Sequence, residues 1–183
     1  YAHKHGVIHF DLTPANIMVG EFGEVSVIDW GLSASRGSGS SKTGIHENKG
    51  GIFVFSSSQY RAPEHIEAGS SEPGPPSDVY SLGAILYEAL TEQPPYYKET
   101  LSESIAAMKQ GDLDPPELKA PEAGIDPVLS KLCIQALDPD PEKRPSMTDF
   151  KDTLGRFLRR EREWEIIRFG EQGMEIDPDE WIT

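Results

Sequence analysis

The apolar residues of this chain recur at helical intervals in four separate stretches. These stretches predict α-helices at about Asp78–Leu90, Glu99–Gln110, Pro127–Leu137 and Ser146–Arg160. Apolar side chains occur on several sides of the first helix, so we expect it to be buried, with Ser77 as its N-cap residue. In the last helix the apolar residues form a single stripe, which is typical of a helix with one face on a core.

Two short β-rich runs precede the helices. Ile17–Val19 and Val25–Ile28 flank a segment that contains Gly20 and Gly23, which predicts a tight hairpin connection. From Ser33 to Ser58 the chain is rich in Ser, Gly and Lys and shows no sustained period, so we expect a long loop there. The whole pattern predicts one mostly α-helical domain with a small β-hairpin.

The charge of the chain argues against a polyanionic partner. Seventeen Lys and Arg residues against 31 Asp and Glu give a formal net charge of -14, which repels nucleic acid. No run of about 18 apolar residues occurs, so we expect no membrane contact within this sequence. Cys133 is the single cysteine, which excludes an intrachain disulfide and fits a reducing, cytoplasmic compartment.

Candidate chemistry is concentrated in two short segments near the start of the chain. The first reads His9-Phe10-Asp11-Leu12-Thr13-Pro14-Ala15-Asn16, and the second reads Ile28-Asp29-Trp30-Gly31. Phosphoryl transfer requires a carboxylate that orients the acceptor hydroxyl and takes its proton, and oxygen ligands that hold Mg2+ on the phosphates. Asp11, Asn16 and Asp29 supply that set of groups. Each residue taken singly fits a turn or a helix cap, but the combination favours a phosphotransferase site.

These segments and three later ones resemble the motifs of the protein-kinase family. The catalytic loop of that family reads His-Arg-Asp-Leu, three further residues and Asn, and its metal-binding motif is Asp-Phe-Gly. Tyr60–Glu64 is similar to the end of the activation segment, and Asp78–Gly83 is similar to the buried helix that anchors the catalytic loop. Asp138–Pro145 resembles a late loop whose Arg pairs with the Ala-Pro-Glu carboxylate. The resemblance covers about residues 1–160, and residues 1–32 are closest to bacterial-type serine/threonine kinases.

The resemblance implies an α+β kinase fold, of which this chain supplies the mostly helical C-terminal lobe. That lobe covers residues 1–160, and residues 161–183 form a tail that is docked or flexible. The family uses ATP as co-substrate, Mg2+ or Mn2+ as cofactor, and a protein serine or threonine as acceptor. Its glycine-rich loop, strand Lys and partnering Glu belong to an N-terminal lobe that we expect upstream of Tyr1. The chain alone is therefore expected to be a nearly inactive fragment.

The same resemblance assigns roles to eight residues. Asp11 is the catalytic base, and Thr13 lies at the catalytic-loop position that contacts the γ-phosphate. Asn16 belongs to the catalytic loop and, together with Asp29, holds the nucleotide through Mg2+. Four residues are structural: His9 beneath the metal motif, Asp78 against the catalytic loop, and Glu64 with Arg144 in a buried ion pair.

Four positions depart from the family pattern. Phe10 replaces the Arg that clamps an activation-loop phosphate, so control by such a phosphate is not expected. Thr13 replaces a Lys that contacts the γ-phosphate, so turnover should fall unless another cation takes that role. Ser57 stands where a Thr bonds the base, and its hydroxyl supports the same contact. Trp30 replaces the Phe of the metal motif, and we expect it to pack in the core.

Two other functions are compatible with parts of the sequence. Phe10 and Thr13 also suit a pseudokinase that serves as a binding or scaffold module, although Asp11, Asn16 and Asp29 oppose that interpretation. A small-molecule phosphotransferase of the aminoglycoside or choline kinase type has a similar catalytic loop. Those enzymes, however, do not carry the Ala-Pro-Glu segment or its partnering Arg.

Overall fold

The computed structural model describes residues 1–32, 34–35, 59–66 and 74–171. The predicted long loop therefore lies outside the described residues, apart from residues 34–35. Ser57 and the end of the predicted tail, from residue 172 onward, also lie outside them.

Four short strands form two antiparallel pairs within residues 1–35. Strand β1 (Val7–Ile8) pairs with β4 (Ala34–Ser35), and β2 (Ile17–Val19) pairs with β3 (Val25–Val27). The second pair is the predicted hairpin, which is confirmed. Its register places three pairs of residues opposite each other: Ile17 and Val27, Met18 and Ser26, and Val19 and Val25. Gly23 in the connecting turn has a φ of +80°, a left-handed conformation that side chains disfavour, so this turn requires a glycine.

Five α-helices make up most of the remaining described chain. They are α1 (Pro75–Thr91), α2 (Leu101–Gln110), α3 (Pro116–Lys119), α4 (Pro127–Ala136) and α5 (Met147–Glu171). All four predicted helices are present, and the short α3 is an addition. The chain is mostly helical with small antiparallel sheets, as the sequence predicts. In the described ranges, none of the helices combines the length and the apolar character that crossing a bilayer demands.

The ends of two helices differ from the prediction. Helix α1 begins at Pro75, because prolines at the first two positions already have helical φ and lack an N–H that would need a partner. Ser77 is therefore the third residue of the helix, and the prediction that it is the N-cap is wrong. Helix α5 continues to Glu171, past the predicted end at Arg160, since no proline interrupts the segment.

Helix α1 lies at the centre of the described helices and packs against α4 and α5. Its side chains contribute to two hydrophobic clusters, one around Tyr80 and Cys133 and the other around Val79. Helices α1 and α4 approach closely at Gly83 of α1, where an added Cβ would lie 2.6 Å from the Cβ of Ala136 in α4. Burial raises the pKa of the Cys133 thiol to about 12, so this cysteine behaves as an inert core residue.

Candidate active site

The segment His9–Asn16 is held in place by the first turn of α1. Asp78, which is 2% exposed, accepts hydrogen bonds from the backbone N–H groups of His9 and Phe10, each at 2.9 Å. The ring nitrogen Nε2 of His3 lies 2.7 Å from the same carboxylate. Phe10 has a φ of 67°, a left-handed conformation that is costly for a side chain of its size. Because the two oxygens of Asp78 bind two successive N–H groups, the carboxylate holds the backbone in this conformation.

His9 connects the backbone of Asp11 to the residue that precedes Asp29. Its Nε2 lies 2.9 Å from the carbonyl oxygen of Ile28, and its Nδ1 accepts a hydrogen bond from the Asp11 N–H at 3.3 Å. A carbonyl oxygen only accepts and a backbone N–H only donates, so these contacts assign the ring proton to Nε2. His9 is 1% exposed, and it therefore ties two segments together below the surface of the site.

Trp30 lies at the surface of the site. Its ring centroid is 4.7 Å from that of His9, and its Nε1–H donates to the carbonyl oxygen of Val27 at 2.9 Å. The side chain is 41% exposed, so the expectation that Trp30 packs in the core is wrong. The indole N–H is satisfied by a backbone carbonyl of the exposed strand β3, which keeps the ring at the surface.

Asn16 makes two hydrogen bonds that link Asp11, the predicted base, to Ile28, the residue before Asp29. The Nδ2 group of Asn16 donates to the backbone carbonyl of Asp11 at 2.8 Å, and the Asn16 carbonyl accepts from the Ile28 N–H at 2.9 Å. Because Nδ2 makes the hydrogen bond to Asp11, the Oδ1 atom of Asn16 remains available to bind a metal ion. Asp29 is exposed and has a φ of 59°. An added Cβ at Gly31 would lie 3.2 Å from Oδ1 of Asp29, so the small residue leaves room beside this carboxylate.

The carboxylate of Asp11 has an arginine as its partner. Nη2 of Arg61 donates to Oδ1 of Asp11 at 2.8 Å, and the two side chains are 32% and 18% exposed. Thr13 is 8% exposed, and its hydroxyl makes no capping hydrogen bond to the 3-10 turn Pro14–Asn16. The positive charge next to the predicted base therefore comes from a residue 50 positions later in the chain.

Phe10 is a packing residue. It is 8% exposed, and its ring centroid lies 5.3 Å from that of His65 in an edge-on arrangement. Burial lowers the pKa of His65, although the charge of Glu64 partly opposes this, so the imidazole is neutral at pH 7. The position that carries Arg in the family pattern is used here to fill space against a neutral ring.

Glu64 and Arg144 form a buried bidentate ion pair. The guanidinium donates to Oε1 and Oε2 of Glu64 at 2.7 and 2.8 Å. Its other N–H groups bind three backbone carbonyls, those of Pro76, Asp138 and Pro139. Burial alone would raise the pKa of the Glu64 carboxyl, but the hydrogen bonds and charge of Arg144 outweigh it and hold this pKa below its usual range. The pair joins the Tyr60–Glu64 segment to the start of α1 and to the loop before α5.

The motifs also match a known family over most of the chain. A family model described as "Protein kinase domain" matches residues 1–154. The chain belongs to the protein kinase family. This match covers both sheets, helices α1 to α4 and the start of α5, and it agrees with the family that the sequence motifs resemble.

Several curated bacterial kinases are similar to this kinase segment. Serine/threonine-protein kinase PknD of Chlamydia felis is 32% identical over 180 residues, which cover 90% of this chain and 18% of the relative. Serine/threonine-protein kinase PknB of Mycolicibacterium smegmatis is 34% identical over 145 residues, which cover 79% of this chain and 22% of the relative. PknB of Mycobacterium tuberculosis is 35% identical over 145 residues, with the same two shares. The chain spans about one fifth of the length of these relatives.

The described part of the chain offers few side-chain ligands for a metal ion. Within the described ranges, no group of three or more His, Cys, Asp or Glu side chains is placed to hold an ion. Asn16 and Asp29 supply one amide oxygen and one carboxylate. Mg2+ commonly binds through one or two carboxylates together with water and substrate phosphates, so this donor set fits Mg2+ or Mn2+ that arrives with ATP.

Sequence reasoning missed the contact between Arg61 and Asp11. One signal was available, since the catalytic loop carries no cation at Phe10 or Thr13, and Arg61 belongs to a motif that the sequence shows plainly. No local spacing rule, however, pairs residues that are 50 positions apart. The contact of His3 with Asp78, across 75 positions, was missed for the same reason.

Proposed function

We propose that this kinase segment is part of a serine/threonine protein kinase that transfers the γ-phosphoryl group of ATP to a protein hydroxyl. The observation that carries the proposal is the hydrogen-bonded network from Asp11 through Asn16 to Ile28, the residue before Asp29. This network holds close together the carboxylate that would bind the acceptor hydroxyl, that of Asp11, and the two side chains that would bind a metal ion, those of Asn16 and Asp29. The names of the bacterial relatives, which describe them as serine/threonine-protein kinases, support the same reaction.

In the proposed step, the acceptor hydroxyl oxygen forms a bond to the γ-phosphorus. The bond between that phosphorus and the bridging oxygen breaks, and ADP leaves with its electron pair. Asp11 orients the hydroxyl and takes its proton. The backbone of Asp11 is held at its N–H by His9 and at its carbonyl by Asn16, so the side chain extends from a fixed backbone.

Asn16 and Asp29 would hold Mg2+ or Mn2+ through their side-chain oxygens. The ion, when bound, neutralises negative charge on the phosphates of ATP. Asp29 keeps a left-handed backbone at a φ of 59°, which surrounding structure must maintain, and Gly31 leaves room beside its carboxylate. These residues therefore act by binding and orienting the nucleotide.

The hairpin provides an apolar surface next to these ligands, which suits the adenine base. Met18 lies two residues after Asn16 and is 56% exposed, while Val27 and Ile28 are 38% and 39% exposed. Sites for flat, largely apolar ligands are lined mainly by apolar side chains. We place the base of ATP against this surface, with its phosphates toward Asp29.

The acceptor class and location are proposed from charge and cysteine use. A net charge of -14 favours an acceptor segment that carries positive charge. The single cysteine, Cys133, is free and buried, and a chain without disulfides fits a reducing compartment such as the cytoplasm.

The test measures transfer of labelled phosphate from ATP to a histone mixture, using protein translated from the complete reading frame and saturating Mg2+. Asp11→Asn and Asp29→Asn should each lower turnover by about 100-fold or more while the far-ultraviolet circular dichroism spectrum stays unchanged. Asp152→Asn is the matched control, because among the described residues this exposed side chain of α5 forms a surface ion pair with Lys151 alone, and the variant should retain wild-type turnover.

Three results would contradict the proposal. Undiminished turnover of Asp29→Asn at saturating Mg2+ would exclude its role as a metal ligand. A wild-type protein that binds Mg2+ and ATP without transferring phosphate would favour the pseudokinase. Transfer to an aminoglycoside or to choline, without transfer to histones, would favour a small-molecule phosphotransferase.

A further inference from the structure

The backbone of Asp11 is fixed on both sides, but its carboxylate depends on one contact. The N–H donates to His9 at 3.3 Å, and the carbonyl accepts from Asn16 at 2.8 Å. Oδ1 accepts from Nη2 of Arg61 at 2.8 Å, while Oδ2 accepts no hydrogen bond from another residue in the described ranges. The orientation of the carboxylate is therefore set by Arg61, and Oδ2 is available to an acceptor hydroxyl.

The backbone near Arg61 is anchored by residues on both sides. The hydroxyl of Tyr60 donates to Glu88 of α1 at 2.6 Å, and Glu64 holds Arg144 at 2.7 Å. A side chain that extends from a fixed backbone loses less conformational entropy on forming a contact than one on a freely moving segment. Arg61 thus presents its charge to Asp11 from a well-held part of the chain.

The catalytic loop lacks a positive charge of its own. No Lys or Arg occurs between His9 and Asn16, and Thr13 stands where the family pattern has a Lys. During transfer, negative charge spreads over the oxygens of the phosphoryl group, and a cation held beside them stabilises this state. Arg61 is a cation within ion-pair distance of Asp11.

We infer that Arg61 is a positioning residue that takes the role left open by Thr13. It orients the Asp11 carboxylate toward the acceptor hydroxyl and keeps a positive charge beside the reacting phosphoryl group. This inference rests on the proposed function, because it gives Arg61 a part in the same transfer. The Arg61 side chain is 32% exposed, so water screens the ion pair and the pair contributes little to folding. We therefore expect replacement of Arg61 to lower turnover and to leave stability almost unchanged.

The test compares variants of Arg61 in protein translated from the complete reading frame, assayed with ATP and the histone mixture. Arg61→Gln keeps a side-chain N–H but loses the charge, and it should lower kcat about 10-fold or more while the KM for ATP changes less than about threefold. Arg61→Lys should retain more turnover than Arg61→Gln. Adding Thr13→Lys to Arg61→Gln should restore turnover at least about threefold, since the cation then returns at the family position.

Two controls separate positioning from folding. Arg159→Gln makes the same substitution at an exposed residue of α5 and should leave kcat unchanged. The melting temperature of Arg61→Gln should lie within about 3 °C of wild type, because a partly exposed ion pair contributes little to stability.

The outcomes distinguish this inference from the proposed function. A wild-type protein without transfer overturns both. If the wild type is active, an unchanged kcat in Arg61→Gln overturns the inference alone. Increased turnover in that variant overturns it as well, because Arg61 would then be a latch that blocks the base. A loss of turnover that neither Arg61→Lys nor Thr13→Lys relieves overturns it too, since Arg61 would then serve only the structure of the segment.

Discussion

Replacing Arg144 with Met should destabilise the fold by about 4 kcal/mol, because removal of one partner of a buried ion pair leaves the other charge buried. The Arg144 side chain is 0% exposed, and within the described residues its guanidinium makes five hydrogen bonds, two to Glu64 and three to backbone carbonyls. It also lies over the ring of Tyr80, with Cζ 4.9 Å from the ring centroid. Met fills a similar volume, but it donates no hydrogen bond and carries no charge.

The assay is urea unfolding followed by far-ultraviolet circular dichroism at pH 7, which reports on the helices that dominate the described chain. For a chain of this size, 4 kcal/mol corresponds to a decrease in melting temperature of about 8–16 °C. Lys143→Met, at the position directly before Arg144, is the matched control. Lys143 is exposed and forms a 3.6 Å surface pair with Asp140, so this change should cost less than about 1 kcal/mol.

A double-mutant cycle with Glu64→Gln isolates the pair itself. Glu64→Gln combined with Arg144→Met should cost less than the sum of the single changes, because neither charge is left buried. A loss below about 1 kcal/mol for Arg144→Met would refute the reasoning, since it would mean that water or other groups replace the guanidinium freely. If Arg144→Met does not fold, Arg144→Lys and Glu64→Gln give the same comparison with milder changes.

Gly83→Ala should cost about 1–3 kcal/mol in urea unfolding, because the new Cβ would lie 2.6 Å from a methyl group of α4. Gly155→Ala, whose Cβ meets only the flexible end of a side chain, should be neutral or stabilising, and equal losses at both glycines would contradict the packing argument. Tyr80→Phe should change the unfolding free energy by less than about 1 kcal/mol, since its buried hydroxyl has no hydrogen-bond partner within the described ranges. Tyr87→Phe removes a 3.0 Å hydrogen bond to a backbone carbonyl and should cost more than Tyr80→Phe; the opposite order would be incompatible with these contacts. The pKa of Glu64 is lowered in the folded chain, so its stabilisation is fully present above its unfolded pKa of about 4.3 and is lost as the pH falls through the folded pKa. The difference in unfolding free energy between wild type and Glu64→Gln should therefore shrink below about pH 4, and a difference that stays constant down to about pH 3 would contradict the assignment.

The long helices and the hairpin could be predicted from sequence because their signals are local. Apolar residues at helical spacing mark α1, α2, α4 and α5, and the glycines between two β-rich runs mark the turn. The helix ends were less predictable. Helix α1 begins two residues before Ser77 because prolines favour its first turn, and α5 passes Arg160 because no local signal stops it there.

The sequence by itself determined which chemical groups the site contains. Asp11, Asn16 and Asp29 stand at the spacing of a known motif, and that motif names their chemistry without any knowledge of their surroundings. The tertiary structure decided which side chains support them. Arg61 meets Asp11 across 50 positions and His3 meets Asp78 across 75, because burial of the apolar faces of the helices brings these segments together. Local periodicity carries no information about such pairs, since they arise only when the core is assembled.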